Sequence, residues 1–289
     1  MKLYRDFSSV DDLNWQYLPS KSGVDGSPYY DSWPNESEAV RQDLDYRAYV
    51  PFGPTMDEYL DIFPASQKDA PVHLFIHGGY WRVFSPKDFS FVARELVAQG
   101  ITVALNNYSL CPKVTIDEVV RQNRAAVKWL VDNAADFGGD PANITVSGHS
   151  AGGHLSAMAA LADWQGEYGL EGHALKGVIG ISGLYDLGPF PYTDLQSHLQ
   201  FTREQIERNS PINQVRSPLP PVWLVVGSDE TPEFHRQADA FAHALDGAGN
   251  RVERITVEDT NHFSVMQGFK DPKSRLFKLI RDACLDGAG

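Results

Sequence analysis

Gly148-His149-Ser150-Ala151-Gly152 is the stretch on which the reading of this chain turns. The short apolar run Asn143-Ile144-Thr145-Val146 precedes it, and the helix-compatible run His154-Leu155-Ser156-Ala157-Met158-Ala159-Ala160-Leu161 follows. A strand, a Gly-x-Ser-x-Gly turn and a helix in that order read as a nucleophile elbow. The turn is so tight that side chains at 148 and 152 would collide with neighbouring backbone. Glycine removes the collision and tolerates the strained dihedrals. The strain lifts the Ser150 hydroxyl clear of the sheet, where a substrate carbonyl can reach it.

Outward from the elbow, strands alternate with amphipathic helices. Mostly apolar runs at 72–76, 101–105, 178–181 and 222–226 read as buried strands, and Val252, Ile255 and Val257 suggest a last one. Ser85 and Pro86 predict a helix start, with Phe89, Val92, Ala93, Leu96 and Val97 on one face and Gly100 at its end. Thr115 and Glu118 form a capping-box pattern before a long amphipathic helix closed by Gly138-Gly139. Thr231-Pro232 opens another, and a final helix is expected over 272–284. Segments 44–50 and 58–63, separated by Pro51-Phe52-Gly53-Pro54, predict an antiparallel hairpin at one sheet edge. The expected fold class is therefore α/β, with a mainly parallel central sheet and helices on both faces. Residues 45–289 read as one domain. Residues 1–44 read as an irregular arm with one short helix near 37–42. A polar, aromatic-containing segment at 189–218 reads as a small cap inserted over the carboxyl ends of the strands, where open α/β sheets place ligands.

The chain has 289 residues, a net charge of −13 and two cysteines, Cys111 and Cys284. A surface this acidic argues against nucleic acid and anionic membranes as partners. Two cysteines are too few for a disulfide framework or a cysteine metal cluster. No apolar signal core is visible at the N-terminus, and no stretch approaches the roughly 18 apolar residues of a membrane span. The expectation is a cytoplasmic protein with a small-molecule partner. Pairing into a homodimer is left open.

A serine hydroxyl needs a neighbouring base at neutral pH, and imidazole, ordinarily near pKa 6.5, suits that task. An elbow of this kind expects the order serine, acid, histidine. Among nine histidines, His262 is the one beyond the last strand, in Asp259-Thr260-Asn261-His262-Phe263, and is the expected base. Asp229, just after the 222–226 strand, is the expected acid, with Glu230 the first alternative and Asp186 the second. The oxyanion formed on attack requires preorganised donors. These are expected from the N–H of Ala151 and from the loop His77-Gly78-Gly79-Tyr80-Trp81, chiefly Gly79 and Tyr80, with Gly78 as a further candidate. His77 is expected to buttress that loop. His73 and His77 share a strand face, but nothing completes a metal site. Tyr80, Trp81, Phe190, Tyr192, Phe201 and Phe263 are the candidate pocket walls.

These motifs carry a resemblance. His77-Gly78-Gly79-Tyr80-Trp81, Gly148–Leu155, Ile181-Ser182-Gly183-Leu184-Tyr185-Asp186-Leu187, Ser210-Pro211 and Asp229-Glu230-Thr231-Pro232-Glu233-Phe234 resemble the α/β-hydrolase type of arylformamidase (kynurenine formamidase). Asn107-Tyr108-Ser109-Leu110-Cys111-Pro112 is similar to a run in the wider hormone-sensitive-lipase-like esterase group, with Ser109 where that group usually carries arginine. The resemblance implies an α/β-hydrolase fold, a Ser150–Asp229–His262 triad, an oxyanion hole in the His77 loop and no cofactor. It implies a serine hydrolase that cleaves a small amide, such as an N-formyl aryl amine, through an acyl-enzyme. A carboxylesterase of short acyl esters and a catalytically inactive binding module on the same fold are the alternatives.

Overall fold

The computed structural model describes residues 2–170 and 174–285. Two helices, α1 (Val10–Tyr17) and α2 (Ser27–Asp43), come first. They are followed by β1 (Arg47–Pro51), β2 (Tyr59–Phe63), β3 (Ala70–Ile76), α3 (Ala93–Ala98), β4 (Thr102–Asn106), α4 (Ile116–Asn133), β5 (Gly139–His149) and α5 (Ala151–Ala160). Then come β6 (Gly177–Ile181), α6 (Gln196–Leu199), α7 (Arg203–Asn209), β7 (Val222–Gly227), α8 (Pro232–Gly247), β8 (Val252–Val257) and α9 (Arg275–Leu285). The strands form a single sheet in the order β1-β2-β4-β3-β5-β6-β7-β8. β2 runs antiparallel to both β1 and β4, and the remaining pairings are parallel. This is the mainly parallel α/β-hydrolase sheet expected from the sequence, with the antiparallel hairpin at one edge.

β3 shows why the sheet centre reads as an apolar run. It lies between β4 and β5, and all seven of its residues are buried. Val72, Leu74 and Ile76 face the apolar layer that includes residues of α4, α5 and α8, while Phe75 faces the layer of α3 and α9. Helices therefore cover both faces, as a sheet without a wet side requires.

The N-terminal segment departs from the irregular arm expected of it. Ser9 caps α1, accepting a hydrogen bond from Asp12 N at 3.1 Å. α2 runs 17 residues although Pro34 lies inside it. Pro28, Pro34 and Asn35 read as breakers in the sequence, but Pro28 sits in the first turn, where its missing N–H costs nothing. Trp33, Ser37 and Val40, spaced four and three apart, form the buried stripe that overrides the Pro34 penalty.

The same packing explains a second departure. Residues 86–98 do not form one helix but two 3₁₀ turns, Pro86–Asp88 and Ser90–Val92, followed by α3. A continuous α-helix would join Phe91 N–H to the Lys87 carbonyl. Here Ser37 Oγ of α2 accepts from Phe91 N at 3.2 Å, and Arg41 Nη1 of α2 donates to Lys87 O at 2.5 Å. Two side chains of the arm thus satisfy the groups that an intrahelical bond would use. A smaller difference lies at α4. Thr115 stands at its N-cap, but Glu118 is bonded to Arg121 and Gln122 rather than closing a capping box.

Candidate active site

The elbow has the geometry that its glycines require. Ser150 sits at φ 57° and ψ −116°, between the end of β5 and the start of α5, and its N–H donates to Ile181 O at 2.8 Å. A Cβ at position 148 would lie 2.2 Å from Gly152 O, and one at position 152 would lie 2.0 Å from Ile76 O. Neither contact can exist, so any side chain at either position would force the turn open and move Ser150.

His262 follows β8 and lines the same cavity as Ser150. Its Nδ1 lies 2.7 Å from Glu230 Oε2, with both side chains buried. Next to a carboxylate, Nδ1 carries the proton and donates it, which leaves Nε2 with a free lone pair. The other oxygen, Glu230 Oε1, accepts from Ser182 Oγ at 2.5 Å and Gly227 N at 2.9 Å. Three donors therefore fix the carboxylate's orientation.

The acid that meets His262 is thus Glu230 and not the expected Asp229. Asp229 is exposed, accepts from Ser228 Oγ at 2.9 Å, and holds the neighbouring loop only through its backbone N–H, which donates to Thr260 O. The reason is the tight turn from Gly227 to Glu230, whose ends are joined by Glu230 N–H to Gly227 O. The turn sends consecutive side chains to opposite sides, one outward and one inward. Asp186 is engaged elsewhere, accepting from Tyr4 Oη at 2.5 Å and Gly188 N at 2.8 Å.

The other histidines here are structural in their bonding. His149 Nε2 donates to His262 O at 2.7 Å, and the two rings lie 4.7 Å apart. Burial, and then the neighbouring His262, hold the His149 imidazole far below its ordinary pKa. His77 stacks on Tyr108 at 4.2 Å and bonds Gly78 O through Nδ1 at 2.8 Å, and burial lowers its pKa to about 4. His73 is on a separate errand: its Nε2 meets Ser147 Oγ at 2.8 Å and its Nδ1 lies 3.6 Å from Cys284 Sγ. Among the described residues no group of three or more His, Cys, Asp or Glu is placed to hold a metal ion.

The His77 loop curls tightly beside the elbow. Gly79, Tyr80 and Trp81 have φ of 99°, 50° and 56°, a left-handed run that is strained at the two aromatic residues. A Cβ on Gly78 would approach Ser150 Cβ to 3.2 Å and His149 O to 2.8 Å, so only glycine lets this backbone lie against the serine. Among the described residues, the N–H groups of Gly78, Gly79, Tyr80 and Ala151 donate to no protein acceptor. Donors in this state beside a nucleophile can stabilise a developing oxyanion.

The cavity measures about 330 Å³. Of the expected wall residues, Tyr80 and Phe263 line it, whereas Trp81, Phe190, Tyr192 and Phe201 do not. Trp81 is wholly buried behind the loop, donating from Nε1 to His154 Nδ1 at 3.2 Å and packing edge-on to Phe190 and Phe201. Tyr192 is exposed. The walls that sequence reasoning missed come largely from the N-terminal segment. Leu18, Pro19 and Ser20 follow α1, Tyr30 and Trp33 belong to α2, and Arg82, Phe84 and Phe89 follow the glycine loop. From the 189–218 insertion, Leu195 reaches the cavity. The Tyr80 hydroxyl donates to Tyr17 O, which ties the loop to the arm. The 3-4-3 spacing of Tyr30, Trp33, Ser37 and Val40 is the signal that could have flagged α2.

Among the described residues no helix is long and apolar enough to cross a membrane. The BD-FAE family model matches residues 60–245. The chain is 32% identical to the kynurenine formamidase of Danio rerio over 285 residues, covering 94% of this chain and 95% of that one. It is 31% identical to esterase LipQ of Mycobacterium tuberculosis, over 69% of this chain and 52% of the relative. A solved structure from Silicibacter sp. TM1040, provisionally assigned as a thioesterase, superposes with a TM-score of 0.79 at 28% identity, over 94% of this chain and 98% of the other.

Proposed function

This chain carries a BD-FAE domain and belongs to the arylformamidase (kynurenine formamidase) family of α/β hydrolases, and from that premise we propose that it hydrolyses a small N-formyl aryl amine by a serine mechanism. It is a hydrolase of arylformamidase or carboxylesterase type with small-molecule substrates. The observation that carries the proposed mechanism is the buried His262–Glu230 pair, held at 2.7 Å beside the cavity that Ser150 lines.

Ser150 Oγ adds to the formyl carbon while His262 Nε2 takes its proton. Glu230, on Nδ1, keeps the imidazole in the required tautomer and stabilises the imidazolium. The carbonyl oxygen becomes an oxyanion that accepts from the N–H groups of Ala151 and of Gly79 and Tyr80, with Gly78 beside them. The imidazolium then gives its proton to the departing aryl amine as the C–N bond breaks, which leaves formyl-Ser150. Water, deprotonated by the same imidazole, adds to the formyl ester. Formate leaves and Ser150 recovers its proton. No cofactor enters this scheme. A pocket of about 330 Å³ lies at the small end of the roughly 300–1,000 Å³ typical of ligand sites, which suits a compact aromatic substrate.

The second reading, a short-chain carboxylesterase, uses the same groups and is favoured by the similarity to esterase LipQ. Comparing kcat/KM on N-formylkynurenine and on 4-nitrophenyl acetate separates the two. The formamidase reading expects efficient deformylation that Ser150→Ala abolishes. Rapid ester turnover with an untouched formamide would overturn it.

A further inference from the structure

Arg82 carries the sole permanent charge among the described residues that line the cavity. The rest of that lining is aromatic, aliphatic or glycine, apart from Ser20, Ser150 and two imidazoles. Of those imidazoles, His149 is held neutral by burial. Among the described residues Arg82 makes no ion pair or side-chain hydrogen bond, and its Nε is buried without a partner. This sets it apart from Arg121, Arg208, Arg236 and Arg254, each within 3 Å of a carboxylate. A buried donor without an acceptor is costly, more so on a charged group, and calls for a partner. The charge of Arg82 also reaches the hydroxyls of Tyr30 and Tyr80, which line the same space.

We propose that Arg82 forms a carboxylate subsite, so that the substrate is an anion whose carboxylate lies away from the scissile carbonyl. A guanidinium offers a planar fork that a carboxylate meets with two parallel bonds. The pairing also solves a problem of net charge. A protein of −13 repels anions at long range, and one uncompensated cation in a low-dielectric pocket reverses that locally. The inference rests on the formamidase reading in one respect. With a formyl acyl group there is no room for the carboxylate on the acyl side, so it belongs to the amine that leaves.

The test is the ratio of kcat/KM for N-formylkynurenine to that for its α-carboxyl methyl ester, a pair differing in one charge. Wild type prefers the free acid. Arg82→Gln lowers that preference by about 10- to 100-fold through KM, and Arg82→Lys keeps part of it. An equal ratio in wild type and Arg82→Gln overturns the proposal. A second measurement does not depend on formamide turnover. Kynurenine and its methyl ester are compared as competitive inhibitors of 4-nitrophenyl acetate hydrolysis. Tighter inhibition by the free acid that weakens in Arg82→Gln supports the subsite even if no formamide is cleaved. Equal inhibition constants for the two compounds overturn it even if formamides are cleaved.

Discussion

The two halves of the proposed active site are built in different ways. The reacting half hangs on loops at the carboxyl ends of parallel strands: Gly78–Trp81 after β3, Ser150 after β5, Glu230 after β7 and His262 after β8. Strand register sets their separations, and sequence order sets their identities. The binding half is largely the opposite wall, where the chain after α1, together with Tyr30 and Trp33 of α2, packs against residues 80–91 and Phe263. No strand register positions that wall. It is held by aromatic packing and by side chains that replace backbone bonds. The proposed chemistry is therefore tied to the hydrogen-bonded central sheet, and the substrate's fit to a segment docked on it.

The largest effect available tests the reacting half. Glu230→Gln keeps the shape of the acid but lets His262 adopt the wrong tautomer, a change that costs about four orders of magnitude in kcat in related triads. Asp229→Asn, one residue earlier on the exposed side of the turn, is expected to alter kcat by less than about twofold. Steady-state kinetics on both variants decide the matter. If Asp229→Asn proves the crippling one, the inward-facing carboxylate has been misassigned.

That pair marks the limit of what the sequence discloses. The elbow, the His77 loop, the edge hairpin and the mainly parallel sheet were legible because glycine placement, apolar runs and the alternation of strands with helices are local signals. Choosing between Asp229 and Glu230 was not, because both follow the same strand and the choice depends on which way a four-residue turn faces. The pocket wall was harder still. Phe190 and Phe201 are aromatic and lie in the insertion, yet they pack against Trp81 behind the wall. Trp33 lies in a segment dense in turn formers, and its helix is supported by contacts with residues about 56 positions away, such as Phe89. Propensity within a window cannot see that contact, and tertiary packing overrides it.

The next effect tests the binding half. Trp33→Ala removes an indole that contacts Phe89 at 5.3 Å and Phe91 at 5.7 Å between ring centres. Deleting a buried tryptophan costs about 3–5 kcal/mol of stability. Urea unfolding should register that loss, and KM for any substrate should rise as the wall recedes. A variant with wild-type stability and KM would mean that the arm merely rests on the body of the protein, and the contrast between the halves would collapse.

The smallest effect per group sharpens the contrast through pH. The reacting half and the sheet beneath it contain His73, His77 and His154, all fully buried. Burial lowers them from about 6.5 to about 3, 4 and 4. The segment 2–44 contains no histidine. A histidine depressed in the fold binds its proton more readily once unfolded, so stability rises with pH and is lost as pH falls below about 6.5 towards 4. At pH 5 each such group costs on the order of 2 kcal/mol relative to neutral pH. Unfolding midpoints should therefore fall steadily from pH 7 to pH 5. In His154→Gln, whose side chain can still meet Asn209 O and Trp81 N–H, the decline should be shallower by about one proton. Trp33→Ala should shift the curve downward without changing its slope, because the arm adds none of these protons. If the slope of Trp33→Ala flattens instead, the acid-sensitive groups belong to the docking of the arm, and the sheet is not where protons couple to folding.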